Sequence, residues 1–279
     1  MRSCFSILVF GIAVLFAMMP VSAEVVNVTT STQLFYDGYE GLGTNVSHAA
    51  YPDDTGDFDP VAVVGSGTIT YEVNNYDGQV TDHIYTQAVE GIDLGPYEGK
   101  NYLRMQGSAL VQYTMGFTPQ NTADDRVHYE QMLCLSDLVA WNASDFGLAI
   151  YGKAGDGTIL FQLQAFGSGD VRYVNYAGGT PPPTISTGLA FDMNVWQKWE
   201  IDYAFGAATG SLTIDGETFN GLPFAATEVG WGQIIFNKPA TAATGKGVTF
   251  VDEVPEPAGM VLLLSGMVGL LAYAWRKRR

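Results

Sequence analysis

Between residues 24 and 254, apolar and polar side chains repeatedly alternate one by one, the period of a strand with one buried face. In the segment VWQKWEIDYAF, Trp199, Ile201 and Tyr203 fall on one side and Glu200 and Asp202 on the other. In GSLTIDGETF, Leu212 and Ile214 alternate with Ser211, Thr213 and Asp215, and Asp215-Gly216 supplies a tight hairpin turn. In TILFQLQAF, Ile159, Phe161, Leu163 and Ala165 oppose Gln162 and Gln164. RVHYEQMLC, FGLAIYG, VRYVNY, GTITYEV and WGQIIFN read as further strands, and no long helical stripe interrupts them. The prolines 181 to 183 of AGGTPPPTIS cannot donate to a ladder, which predicts an exposed, stiff loop. About twelve short strands in roughly 230 residues predict an all-β domain, a two-sheet antiparallel β-sandwich over residues 24–253.

Both ends break this pattern. Residues 1–23 begin with Arg2, run apolar from Phe5 to Met19, and close on Pro20 and the small residues of Val21-Ser22-Ala23. That order predicts a secretory signal peptide cleaved after Ala23. At the other end, residues 254–279 read VPEPAGMVLLLSGMVGLLAYAWRKRR. Residues 258–275 are eighteen uncharged, mostly apolar residues, and at ~1.5 Å per residue they span ~27 Å, enough for a transmembrane helix. Pro257 suits its first turn, and Tyr273 and Trp275 suit a membrane interface. Arg276, Lys277, Arg278 and Arg279 form a basic stop that holds the C-terminus inside. The predicted order is domain outside, helix across, tail inside.

Charge narrows the partners. The whole chain carries -16, but between residues 24 and 254 there are 8 basic and 28 acidic side chains. Such a field repels phosphate backbones, so nucleic acid is not an expected partner. Cations and neutral polymers such as polysaccharide suit it better. Fifteen tyrosines and five tryptophans permit sugar stacking. Trp196, Trp199 and Trp231 lie in strand patterns and read as core, which leaves Tyr173 and Tyr176, beside the proline-rich loop, better placed.

Candidate chemistry is thin. Cys4 falls in the signal peptide, so Cys134 is alone in the domain and reads as a buried apolar side chain. His48, His83 and His128 lie far apart with no HxxxH spacing, so no zinc site is expected. No Gly-x-Ser-x-Gly elbow and no phosphate-binding loop occurs. YPDDTGDFDP packs Asp53, Asp54, Asp57 and Asp59 together, but its spacing departs from a calcium-binding EF-hand loop and it reads as an exposed acidic loop. No catalytic set can be assembled.

Two resemblances add to this reading. The stretch NVWQKWEIDYAFGAATGSLTIDGETF resembles the Trp-strand-turn-strand-Asp-Gly hairpin of the concanavalin A-like lectin/glucanase superfamily, including laminin-G-like jelly rolls. LFYDGYEGLGTN and GVTFVDEV are similar to the first and last strands of such sandwiches. The resemblance implies a jelly roll and, where its first and last strands meet, a structural calcium at Glu40 and Asp252. Glycoside hydrolases of this superfamily carry a Glu-x-Asp-x-x-Glu strand motif. Here Glu200 and Asp202 are present but Phe205 stands in the last position, so half of a two-carboxylate mechanism is missing. A retaining route would need another carboxylate about 5 Å from Glu200. The bland reading makes Glu200 and Asp202 the solvated face of a half-buried strand.

The tail closely resembles the PEP-CTERM sorting signal of Gram-negative bacteria: Pro255-Glu256-Pro257, apolar helix, basic cluster, in that order. That resemblance implies recognition and cleavage by an exosortase, a transpeptidase-like membrane enzyme, after transient anchoring. It also implies delivery to the cell surface or extracellular matrix. The expectation is an exported, non-enzymatic surface protein with polysaccharide as a candidate ligand. A secreted glycoside hydrolase-like enzyme and a ligand-free structural coat component are the alternatives.

Overall fold

In the computed structural model, residues 24–36, 68–74, 83–85, 102–105, 110–120, 125–225, 230–238 and 246–252 are described. All lie within one compact unit, Ala23–Val254. The predicted signal peptide with Ala23, Glu40, the loop Asp53–Asp59, Pro255-Glu256-Pro257, the helix over 258–275 and the basic stop Arg276, Lys277, Arg278, Arg279 lie outside the described residues. Among the described residues no helix is long and apolar enough to cross a membrane.

Sixteen strands run through the described residues. They are β1 (Glu24–Asn27), β2 (Thr32–Tyr36), β3 (Thr68–Asn74), β4 (His83–Tyr85), β5 (Tyr102–Met105), β6 (Leu110–Gln120), β7 (Arg126–Trp141) and β8 (Phe146–Ala154). Then follow β9 (Ile159–Phe166), β10 (Asp170–Val174), β11 (Thr184–Ala190), β12 (Trp196–Ala204), β13 (Thr209–Ile214), β14 (Glu217–Pro223), β15 (Trp231–Lys238) and β16 (Lys246–Asp252). Alternation suggests fewer because pieces such as β4 and β5, three and four residues long, are too short to show a period.

The strands form two antiparallel sheets. The first has the order β14-β13-β12-β7-β16-β5-β4, with β1 also on β7 and β2 on β1. The second runs β11-β10-β9-β8-β15-β6-β3. The hairpins β8-β9-β10-β11 and β12-β13-β14 are local. The neighbours β7-β16 and β8-β15 come from distant parts of the chain, a crossed connectivity that fits a jelly roll. The sixteen-residue β7 is the spine of the first sheet. It carries β12 along one edge, and β1 and then β16 along the other.

The inward faces share one apolar core. Trp199, Ile201 and Tyr203 point inward as their alternation predicts, with Val127, Tyr129, Leu133 and Leu135 beside them. The second sheet contributes Phe161, Leu163, Ala165, Trp231, Ile234 and Phe236. Aromatic rings bridge the layers: Tyr129 lies 6.4 Å from Phe236, and Phe224 lies 3.9 Å from Tyr203 and 4.7 Å from Phe161. Gly152 leaves room for this packing, since a Cβ there would lie 2.0 Å from the Phe161 ring. The predicted turn is present: Asp215 and Gly216 adopt φ of 46° and 87° between the paired residues Ile214 and Glu217. In the proline-rich loop Pro181 and Pro183 are exposed, while the Pro183 carbonyl accepts from Asn175 N–H.

Candidate functional site

Register decides which side chains meet on the outward face of the first sheet. Glu200 stands directly opposite Glu130, Asp202 opposite His128 and Lys198 opposite Met132. The odd-numbered residues of β7 and β12 here point to the core, so these even-numbered ones share the other face. Two carboxylates in direct cross-strand register repel unless a cation intervenes. Lys198 supplies it, with Nζ 2.8 Å from Glu130 Oε2 and 2.9 Å from Glu200 Oε1. Its backbone is pinned by the hairpin turn: Lys198 N–H donates to Asp215 Oδ1 and Asp215 N–H to the Lys198 carbonyl.

His128 completes the cluster. Its Nδ1 is 3.3 Å from Asp202 Oδ2, and its Nε2 lies 3.4 Å from Glu130 Oε2 and 3.9 Å from Glu200 Oε1. Arg126 holds the far side of Asp202 at 2.9 Å. Burial opposes charge on the imidazole, but hydrogen bonds to Asp202 and Glu130, and their charges, outweigh it and raise the ring from 6.5 to about 9. Burial also works against ionised Asp202, yet His128 and Arg126 bring its carboxyl below the usual range. Lys198 is raised in the same way: its bonds to Glu130 and Glu200 outweigh burial. His128 and Lys198 are therefore held as cations at neutral pH beside the three acidic side chains.

This corrects the strand reading of Glu200 and Asp202, which are half-buried and ion-paired instead of freely solvated. It also relocates the missing carboxylate. Phe205 lies beyond the end of β12, edge-on to Tyr203 at 5.0 Å, whereas the partner of Glu200 is Glu130 on the neighbouring strand. One donor atom each from His128, Glu130 and Glu200 lies within 4.8 Å of the others, a set able to hold a metal ion. Glu130 is only 1% exposed and tied to Lys198, which is poor placement for a group that must reach a sugar. Sequence reasoning missed Arg126, His128, Glu130 and Lys198. The His-x-Glu spacing of RVHYEQMLC is the signal that places two of them on one face.

The outward face of the second sheet is different. Register sets Gln162 beside Tyr151, Gln164 beside Arg172 and Ala149, and Ala149 beside Asn237, with Gln112 next in the row. Tyr176 donates through its hydroxyl to Gln162 Oε1, and Gln162 Nε2 donates to Tyr151 Oη at 3.1 Å. Tyr176 remains 44% exposed, so its ring is oriented and open. The companion expectation fails: Tyr173 turns inward and stacks on Phe219 at 5.8 Å. Trp199 and Trp231 are core, as their patterns imply, and Trp196 is half-buried. Cys134 is buried, and burial pushes its thiol up to about 12, far from a reactive thiolate. His83 lies on β4 opposite Arg104, remote in register from β7, and His48 is outside the described residues. Asp252 ends β16 opposite Met132, while its expected calcium partner Glu40 lies outside the described residues.

Residues 253–279 match the PEP-CTERM protein-sorting motif. No curated protein matches the chain. Among solved structures, a sialidase is similar over 66% of this chain and 17% of its own, at 9% identity and a TM-score of 0.45. The carbohydrate-binding module CBM66 from Bacillus subtilis is similar over 65% of this chain and 91% of its own, at 10% identity and a TM-score of 0.37. A Bacillus licheniformis β-glucanase is similar over 69% of this chain and 98% of its own, at 14% identity and a TM-score of 0.36. Likenesses this distant carry nothing about ligand or reaction.

Proposed function

We propose that this chain, which carries a PEP-CTERM protein-sorting motif, is an exported surface or matrix protein delivered and processed by an exosortase-type membrane enzyme. The match over residues 253–279 is the observation that carries this reading. The apolar run 258–275 and the basic residues that follow supply the transient anchor such sorting needs. Intact-mass analysis of exported protein is the test. A chain beginning at Glu24 and ending near Pro257 is expected, and a C-terminus still at Arg279 on exported protein overturns the processing step.

The sandwich domain, on this reading, binds a neutral polysaccharide. What supports it is the exposed ring of Tyr176, held by the buried Gln162, with half-buried Tyr151 and Gln164 on the same face. A glycan array on the exported protein, with and without calcium, tests it. Binding lost on Tyr176→Ala supports this face. A blank array across neutral and acidic sugars supports the ligand-free coat reading instead.

One observation favours a second reading, a glycan-active enzyme: Glu130 and Glu200 stand directly opposite each other on β7 and β12, with one carboxylate oxygen of each within 4.8 Å of the other. Hydrolysis of β-glucans that vanishes in Glu200→Gln would establish it. The burial of Glu130 and the Lys198 bridge weigh against it.

A further inference from the structure

We propose that His128, Glu130 and Glu200 form a site for a divalent transition-metal cation, with Asp202 as the group that orients the histidine. The three donors stand on two hydrogen-bonded strands and converge within 4.8 Å, so backbone register, not a mobile loop, holds them together. A second observation points to a ligand. Glu130 is 1% exposed, yet its Oε1 is buried with no hydrogen-bond partner. Oε2 is the oxygen that meets Lys198 and His128, so a cation taken up by both Glu130 oxygens would satisfy the unmet Oε1, which is costly to leave bare in a nearly dry position. The histidine is oriented as metal ligands usually are, and a metal at Nε2 would displace the proton there. Its Nδ1 faces the Asp202 carboxylate, itself held by Arg126, and its Nε2 faces the two glutamates.

Lys198 marks the cation position. Its ammonium bridges the two carboxylates, but its side chain is 34% exposed on a flexible stem and can swing into water when a divalent ion takes its place. One imidazole nitrogen with carboxylate oxygens favours Zn2+ or a similar transition ion over Ca2+, which prefers oxygen alone. This set differs in position and chemistry from the calcium expected at Glu40 and Asp252.

Titration calorimetry of Zn2+ into the full chain, extracted in detergent and stripped with EDTA, tests the proposal. One equivalent of Zn2+ is expected to bind, weakened at least ~10-fold by H128Q and by E200Q. Lys198→Met removes the competing ammonium and should tighten binding by ~10-fold or more, an advantage that the H128Q/K198M double variant should lose. Zn-edge X-ray absorption on wild-type protein reads the ligands without any substitution, and should show imidazole nitrogen with carboxylate oxygen at about 2.0–2.2 Å. No binding by wild type, affinity unmoved by H128Q and E200Q, or a shell of water alone overturns the site. Equal affinity for Ca2+ overturns its chemistry.

Discussion

The two outward faces of the sandwich use the same ladder geometry for opposite ends. On the first sheet, Arg126, His128, Glu130, Lys198, Glu200 and Asp202 neutralise one another within a few ångströms. On the second, the buried Gln162 links Tyr151 to the exposed Tyr176 through neutral hydrogen bonds, and Arg172 is occupied by Asp170 at 2.6 Å and by the Phe166 ring at 4.2 Å. The domain carries 20 more acidic than basic residues, 28 against 8, yet neither face is where that excess concentrates. Ionisable groups in register must be solved against each other, which consumes their bonding capacity. The neutral bonds of the second face leave the Tyr176 ring open to a ligand.

Removing the bridging cation breaks this contrast hardest. In metal-free buffer, Lys198→Met leaves Glu130 and Glu200 opposed without their shared partner, and a loss of about 2–3 kcal/mol is expected in denaturant unfolding. That falls short of a fully buried pair because Lys198 keeps contact with water. On the second face Gln162→Leu should cost about 1 kcal/mol, since Tyr151 and Tyr176 lose one uncharged partner. If both cost the same, the first face is not held by charge.

Acidity sharpens the same comparison. His128 is flanked by Glu130 on its own strand and by Glu200 and Asp202 on β12, while β1 sets Val26 opposite it. Its folded value, about 9, lies above the unfolded 6.5, so its stabilisation is complete below 6.5 and is lost as pH rises through about 9. Asp202 runs the other way: its folded value is depressed, so its share is present above the unfolded value and is lost as acid titrates the folded carboxyl. Thermal unfolding of metal-free protein should decline by on the order of 1–2 kcal/mol between pH 6.5 and 9, and His128→Gln should flatten that limb. A slope unchanged in the variant would remove the histidine from the network.

The fold was legible because period-two alternation survives in β12 and β13, and because Asp215-Gly216 permits only a narrow set of turns; in β9 it is blurred, since Leu160 and Gln162 are buried as well. Alternation also separated Glu200 and Asp202 from Trp199 and Ile201. It could not say what lies opposite them, because Glu130 and Glu200 are 70 positions apart and only the β7-β12 register joins them. The search for a partner carboxylate along β12 therefore ended at Phe205, and a histidine spacing rule suited to helices passed over His128. Tyr173 and Tyr176 looked equivalent in sequence. Tyr173 lies on β10 and stacks on Phe219, whereas the strand ends at Val174 and Tyr176 sits in the turn that follows, where Gln162 holds it.

Tyr176 gives the smallest effect on stability and the clearest on function. Its ring is exposed, so Tyr176→Ala should change unfolding by no more than ~0.5 kcal/mol, with water replacing its bond to Gln162. Glycan affinity should nevertheless fall if this face carries the ligand, because a base of stacking area is lost beside Gln162 and Tyr151. Tyr176→Phe divides the contribution: the ring stays, while the hydroxyl that aims it goes. Binding retained by Phe and lost in Ala assigns the contact to the ring. Binding lost in both makes the Tyr176-Gln162 bond the part that matters, since it fixes the ring before any ligand arrives. Binding unchanged in both moves the ligand off the neutral face and ends the division of labour between the two sheets.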